Sequence, residues 1–155
     1  MRRWMVSFGN GAAAGAVSRG MRPMPTALTP ELTVLAWSVV LFFAHMIIQA
    51  ATALRDTGIV YNAGPRDEHR PVGVLAGRAQ RAFNNFKETY PLFIALTLAL
   101  AATDRSGGLG ATGAWLWFGA RIVYIPLYLF GVPWLRTLAY GVSVVGLVMM
   151  LGRLL

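Results

Sequence analysis

Cysteine is absent from the 155 residues. That excludes a disulfide scaffold, a thiolate metal site and a cysteine nucleophile. Charge is scarce as well. Asp, Glu, Lys and Arg make up 13% of the chain, against about 25% in an ordinary soluble domain. A chain with so few charges lacks the polar surface of a cytosolic enzyme. Its 56% hydrophobic content sets it equally apart from a disordered chain. Six carboxylates and two histidines leave little for a metal site or a catalytic carboxylate pair, and no metal is expected. Lysine is nearly missing too: 13 of the 14 basic residues are Arg, with Lys87 the exception. We read that ratio as a compositional bias rather than a functional signal.

What the chain does have is long apolar runs, with a mean hydropathy of +0.55. The net charge is +8. The basic residues lie within or beside apolar runs, so a membrane surface explains the charge better than nucleic acid does. Crossing the hydrocarbon core takes about 20 apolar residues in helical form. Four segments qualify as candidates, at about residues 31–54, 75–102, 110–130 and 134–155. Backbone polar groups in lipid must be paired internally, so these segments are expected to be helices. Thr29-Pro30 before the first is a helix-start signal. Only the second half of the second segment, 90–102, is cleanly apolar. Its first half holds Arg78, Arg81, Lys87 and Glu88.

Residues 55–77 read as one long polar connection, 103–109 as a short Gly-Gly turn and Gly131-Val132-Pro133 as a tight turn. Short turns imply antiparallel neighbours, hence an all-α, up-down four-helix transmembrane bundle. No internal repeat is seen. Residues 1–23 stand apart. They read as a disordered segment or a mis-assigned start, since Met21 and Met24 both precede the folded pattern. The side carrying the 55–77 loop has seven Lys/Arg (Arg55, Arg66, Arg70, Arg78, Arg81, Lys87, Arg136) against Arg105 and Arg153 on the other. That ratio places the loop in the cytoplasm. Counting Arg2, Arg3, Arg19 and Arg22 removes the asymmetry, so orientation depends on the start site.

Charged groups inside membrane helices suggest function by default. Arg78, Arg81, Asn85 and Glu88 are spaced 3, 4 and 3 apart, which places them on one helix face. Guanidinium forks suit carboxylates, and a carboxylate suits an ammonium group. The set matches a zwitterionic ligand with several carboxylates. In the third segment Trp117, Arg121, Tyr124 and Tyr128 share a face by the same spacing rule. Arg136 and Tyr140 do so at the start of the fourth. Each has a structural reading beside the functional one. The arginines serve as interfacial anchors or pair with Glu88, and the tyrosines form an aromatic belt. His45 reads as a helix–helix hydrogen bond, Pro91 and Pro126 as kinks. Arg121 lies mid-segment and needs a partner.

The segments RAQRAFNNFKETYPLF (78–93) and ARIVYIPLYLFGVPWLRTLAY (120–140) strongly resemble the MAPEG family. These are the membrane-associated proteins of eicosanoid and glutathione metabolism, and the bacterial, microsomal glutathione transferase-like branch is the nearest. The resemblance covers about residues 28–155 and rests on R-A-x-x-N-x-x-E at Arg81–Glu88 and R-x-x-Y-x-x-x-Y at Arg121–Tyr128. It makes residues 24–155 one membrane domain and implies a homotrimer in the lipid bilayer, with a bacterial inner membrane as its location. Glutathione, as co-substrate, would bind between subunits near one membrane face. The implied ligand positions are Arg81, Asn85 and Glu88, then Arg121, Tyr124 and Tyr128, then Arg136 and Tyr140, with Arg55 more loosely aligned. Arg136 is the position implied to stabilise the thiolate, assisted by Tyr128. Thr137 follows it where a relative has Ser. Phe83 and Asn84 replace a His and an Arg of some eukaryotic members, and Tyr124 a His. Those departures bear on eicosanoid specificity.

The chemistry of glutathione agrees with these residues: two carboxylates, one ammonium and one thiol. A free thiol has a pKa of about 8.5, and Arg136 with a Tyr hydroxyl favours its charged form. The thiolate then attacks a lipophilic electrophile or peroxide arriving from the lipid. Two alternatives stand beside this reading. One is a non-catalytic binding or scaffold protein on the same fold. The other is a small anion transporter, disfavoured because the first segment offers only His45 and Gln49 to a polar path.

Overall fold

The computed structural model describes residues 27–65, 67, 68 and 70–155. The N-terminal segment, for which a disordered or mis-assigned start is expected, lies outside them. Four long helices and one short one follow each other: α1 Pro30–Thr57, α2 Ile59–Ala63, α3 Val74–Ala102, α4 Leu109–Phe130 and α5 Pro133–Leu154. The long helices match the four expected segments to within a few residues. The polar connection read over 55–77 is shorter than expected. α1 continues to Thr57, and α2 fills 59–63. α2 forms because Gly58 turns the chain at φ 79° and the Asn62 amide donates back to Thr57 Oγ1 at 2.6 Å and Gly58 O at 2.7 Å.

Local signals account for the helix boundaries. Thr29 Oγ1 accepts from the Leu32 N–H at 3.4 Å, with Pro30 in the first turn. α3 lacks a side-chain cap of its own, and Asp56 at the end of α1 accepts the Gly73 N–H at 2.7 Å instead. That bond ties the two helix ends across the connection. α5 starts on Pro133. Both Pro91 and Pro126 sit inside continuous helices.

Like α3, α4 contacts each of the other three long helices. Its tightest partner is α5, through small residues. A Cβ on Gly113 would lie 2.5 Å from the Gly146 carbonyl oxygen, and one on Gly146 would lie 2.6 Å from that of Gly113. The core packs around aromatic rings. Trp117 stacks on Phe93 with centroids 3.9 Å apart and 5° between planes, and Phe86 and Tyr90 adjoin it. Large apolar side chains also line the outside, among them Trp37, Val40, Phe43 and Ile47 on α1 and Leu138, Val145 and Val148 on α5. α1, α4 and α5 are each long and apolar enough to cross a membrane. α3 has the length, but Arg78, Arg81, Lys87 and Glu88 occupy its first half.

Candidate functional site

The polar centre of the bundle is Arg121. Its side chain is fully buried. One guanidinium nitrogen, Nη1, donates to Asn85 Oδ1 at 2.7 Å, and Nη2 donates to Thr89 Oγ1 at 2.7 Å. The Tyr124 and Tyr140 rings flank it, with Cζ 5.5 Å and 5.3 Å from their centroids. Arg121 thus finds the partner its position demands, but as an internal strut between α4 and α3. Its Nε has no partner, and no part of it reaches the surface of this chain. The resemblance implies a ligand role for Arg121 between subunits; within one subunit its side chain is internal. It holds Asn85 and the two tyrosines in place.

Thr89 belongs to this cluster and was not foreseen. It follows Asn85 by four residues, so a stricter use of helical spacing points to it. The amide of Asn85 is committed through its oxygen, and its residue is only half-buried.

A second group sits nearer the helix ends. Ala82, Tyr124 and Ala139 pack together where α3, α4 and α5 meet, with Tyr128 against them. The guanidinium of Arg136 lies over the Tyr128 ring, Cζ 4.5 Å from the centroid. Tyr128 in turn meets Tyr124 at 5.4 Å. Tyr124 is buried, Tyr128 and Arg136 are half-buried, and Tyr140 is 36% exposed. The fold therefore brings Asn85, Arg121, Tyr124, Tyr128, Arg136 and Tyr140 into one continuous cluster.

Other expected residues stand outside it. Arg81 and Glu88 are exposed on α3, and neither makes a side-chain hydrogen bond or ion pair among the described residues. The pairing of Arg81 with Glu88 offered as their structural role is absent there. Arg55 is exposed at the end of α1, in a cleft with Asp56, Gly73 and Val74, and no contact joins it to the cluster. Arg78, which shares a helix face with Arg81 and Asn85, turns instead to the end of α4 and donates to the Leu129 carbonyl at 3.0 Å. His45 corrects another expectation. It forms no helix–helix hydrogen bond among the described residues. Its ring lies against Phe86 at 4.7 Å and Phe83 at 6.0 Å, and Nε2 is buried without a partner. The two phenyl rings offer it no acceptor. The Thr137 hydroxyl donates to Pro133 O in its own helix at 3.1 Å.

On the outward side of α5, away from the face that carries Arg136, lies an open apolar groove of about 640 Å³. Leu116, Trp134, Thr137, Leu138, Gly141 and Val145 line it.

Apolar outer faces around a buried polar centre define an all-helical integral membrane protein. The chain belongs to the MAPEG family, whose model matches residues 34–155 and whose members are glutathione transferases or related proteins. No curated protein and no solved structure gives a match.

Proposed function

We propose that this protein is a membrane-bound glutathione transferase-like enzyme, of the microsomal and bacterial kind, working as a homotrimer. The observation that carries this reading is Arg136 poised over Tyr128 at the end of the polar cluster. A cation and a hydroxyl-bearing ring among membrane helices suit a polar thiol meeting an apolar electrophile. The exposed Arg81 takes a glutathione carboxylate and the exposed Glu88 its ammonium. Asn85, Tyr124 and Tyr140 orient the peptide, held from behind by Arg121 and Thr89. Arg55 reaches a carboxylate from the end of α1.

Arg136 and the Tyr128 hydroxyl favour the ionised sulfur. The thiol proton leaves to water. The sulfur lone pair then forms the new bond to the electrophilic carbon as the leaving group departs or a strained ring opens. A peroxide is the other acceptor the site suits. Its O–O bond breaks as sulfur takes one oxygen, and a second glutathione completes the reduction. The lipophilic acceptor enters from the bilayer. The arginine excess on this side supports a cytoplasmic 55–77 connection and a bacterial inner membrane location.

Calorimetry on the detergent-solubilised protein tests the reading. Saturable glutathione binding is expected, weakened at least about tenfold, or about 1.4 kcal/mol, in Arg81→Ala and in Glu88→Ala. Arg136→Ala is expected to keep most of the affinity and lose most of the thiolate absorbance in a stopped-flow titration. Absence of binding by folded wild-type protein rejects the enzyme reading and favours a scaffold on the same fold. Equal thiolate yield in Arg136→Ala rejects its role.

A further inference from the structure

Arg78 lies one helical turn before Arg81 and two before Asn85, on the face of α3 that carries the proposed ligand set. Its guanidinium does not serve that face. Nη1 donates to the carbonyl of Leu129, in the last turn of α4. α4 ends there in a Schellman turn. The Val132 N–H bonds to Leu127 O at 3.0 Å and the Gly131 N–H to Tyr128 O at 3.2 Å, with Gly131 at φ 76°. Such a turn satisfies two of the last four carbonyls and leaves Leu129 O without a partner of its own. Arg78 fills that vacancy from another helix, and its charge complements the negative end of α4. The fit is close: a Cβ on Gly131 would stand 2.5 Å from Arg78 Nη2.

This clamp sits between the two residues on which thiolate formation turns. Tyr128 precedes Leu129 by one residue. Past the turn, the Arg136 N–H bonds to Val132 O at 3.3 Å, and the Arg136 guanidinium folds back over the Tyr128 ring at 4.5 Å. The position of Arg136 above Tyr128 is therefore set by the path of residues 129–133, and Arg78 is the side chain from α3 that fixes that path. We infer that Arg78 is a positioning residue. It holds the α4–α5 turn, and through the turn it holds Arg136 on Tyr128, without touching glutathione. The part concerning the thiolate rests on the function proposed above.

Arg105 supplies the internal comparison. At the opposite end of the bundle its guanidinium donates to the Leu154 carbonyl, at the end of α5. It is an equivalent helix-end contact remote from the cluster. A purely structural arginine should behave like Arg105.

The experiment compares Arg78→Ala, Arg78→Lys and Arg105→Ala in the full-length, detergent-solubilised protein. Amide hydrogen exchange over residues 127–136 is read without ligand, and the pH profile of the glutathione thiolate is read with it. Arg78→Ala is expected to speed exchange at Gly131 and Val132 by about tenfold or more. It should move the thiolate midpoint up by about one pH unit, tenfold in thiolate at fixed pH, while glutathione Kd changes by less than about threefold. Arg78→Lys keeps a charged donor for Leu129 O and should restore most of both readouts. Arg105→Ala should move neither. If Arg78→Ala does not accumulate folded, Arg78→Met, which keeps the packed stem, carries the same comparison. Unchanged exchange in the folded variant overturns the inference. So does a thiolate midpoint equal to wild type, or one that Arg105→Ala moves as far. Faster exchange in Arg78→Ala with no thiolate in the wild type upholds the clamp on the turn and rejects the glutathione reading instead.

Discussion

Arg121 shows how one side chain organises the interior. A guanidinium buried in a membrane protein is costly unless its donors are paired. Here two donors are used, by an amide and a threonine hydroxyl, both uncharged. No carboxylate accepts from it; dipoles and the faces of Tyr124 and Tyr140 stabilise the charge, with Glu88 acting on it from farther away. Thr89→Val keeps the shape and deletes one acceptor. We expect a loss of about 1–2 kcal/mol, in line with an unsatisfied donor to a buried charge, measured by unfolding in a graded denaturing detergent. Arg121→Ala empties the cluster and should cost about 3 kcal/mol or more. A loss in Thr89→Val as large as in Arg121→Ala would contradict this division. The R-x-x-Y-x-x-x-Y spacing located Arg121 and Tyr124, while Tyr140 and Thr89 joined Arg121 only through packing across helices.

At the scale of the helix, α4 and α5 are joined by the mutual approach of Gly113 and Gly146. Close backbone contact between membrane helices depends on small residues at such positions, because lipid gives no hydrophobic drive for helices to associate. Gly113→Leu must force the helices apart or fail to fold, with an expected loss of about 2 kcal/mol or more. Gly119, on the same helix, has open space where its Cβ would be. Gly119→Ala is expected to be neutral or stabilising by up to about 1 kcal/mol. Comparable destabilisation by both would show that helix propensity, and not packing, governs α4. Neither glycine is distinguishable in the sequence, since the apolar positions of the run from 109 to 130 do not say which stripe faces α5. The helix ends were legible for a local reason: Thr29-Pro30, the paired glycines at 107 and 108, and Gly131-Val132-Pro133 dictate them with little help from packing.

For the whole molecule, the outer face of α3 is the anomaly. Arg81, Asn84, Lys87 and Glu88 are exposed there, on a bundle whose other faces are apolar. A polar face beside membrane-spanning helices calls for cover, which the proposed trimer would supply if α3 of each copy met its neighbours. The chain has no cysteine, so Asn84→Cys introduces a unique thiol. With a short thiol-reactive cross-linker in the membrane, covalent dimers and trimers are expected from Asn84→Cys. None are expected from a cysteine at Val148 on the exposed side of α5. Monomer alone from both variants would refute the assembly.

The sequence alone determined the membrane class, the four long helices, most of their boundaries and most of the cluster's residues. Those follow from local chemistry: apolar run length, capping residues, turn glycines and helical spacing. Tertiary structure decided how the polar residues divide their work. Spacing put Arg78, Arg81, Asn85 and Glu88 on one face, but the path of α4 drew Arg78 to the Leu129 carbonyl, its core position drew Asn85 to Arg121, and Arg81 and Glu88 stayed exposed. A helical face is a property of one segment. Which neighbour meets each residue on that face depends on how segments distant in sequence pack, and no local signal encodes it.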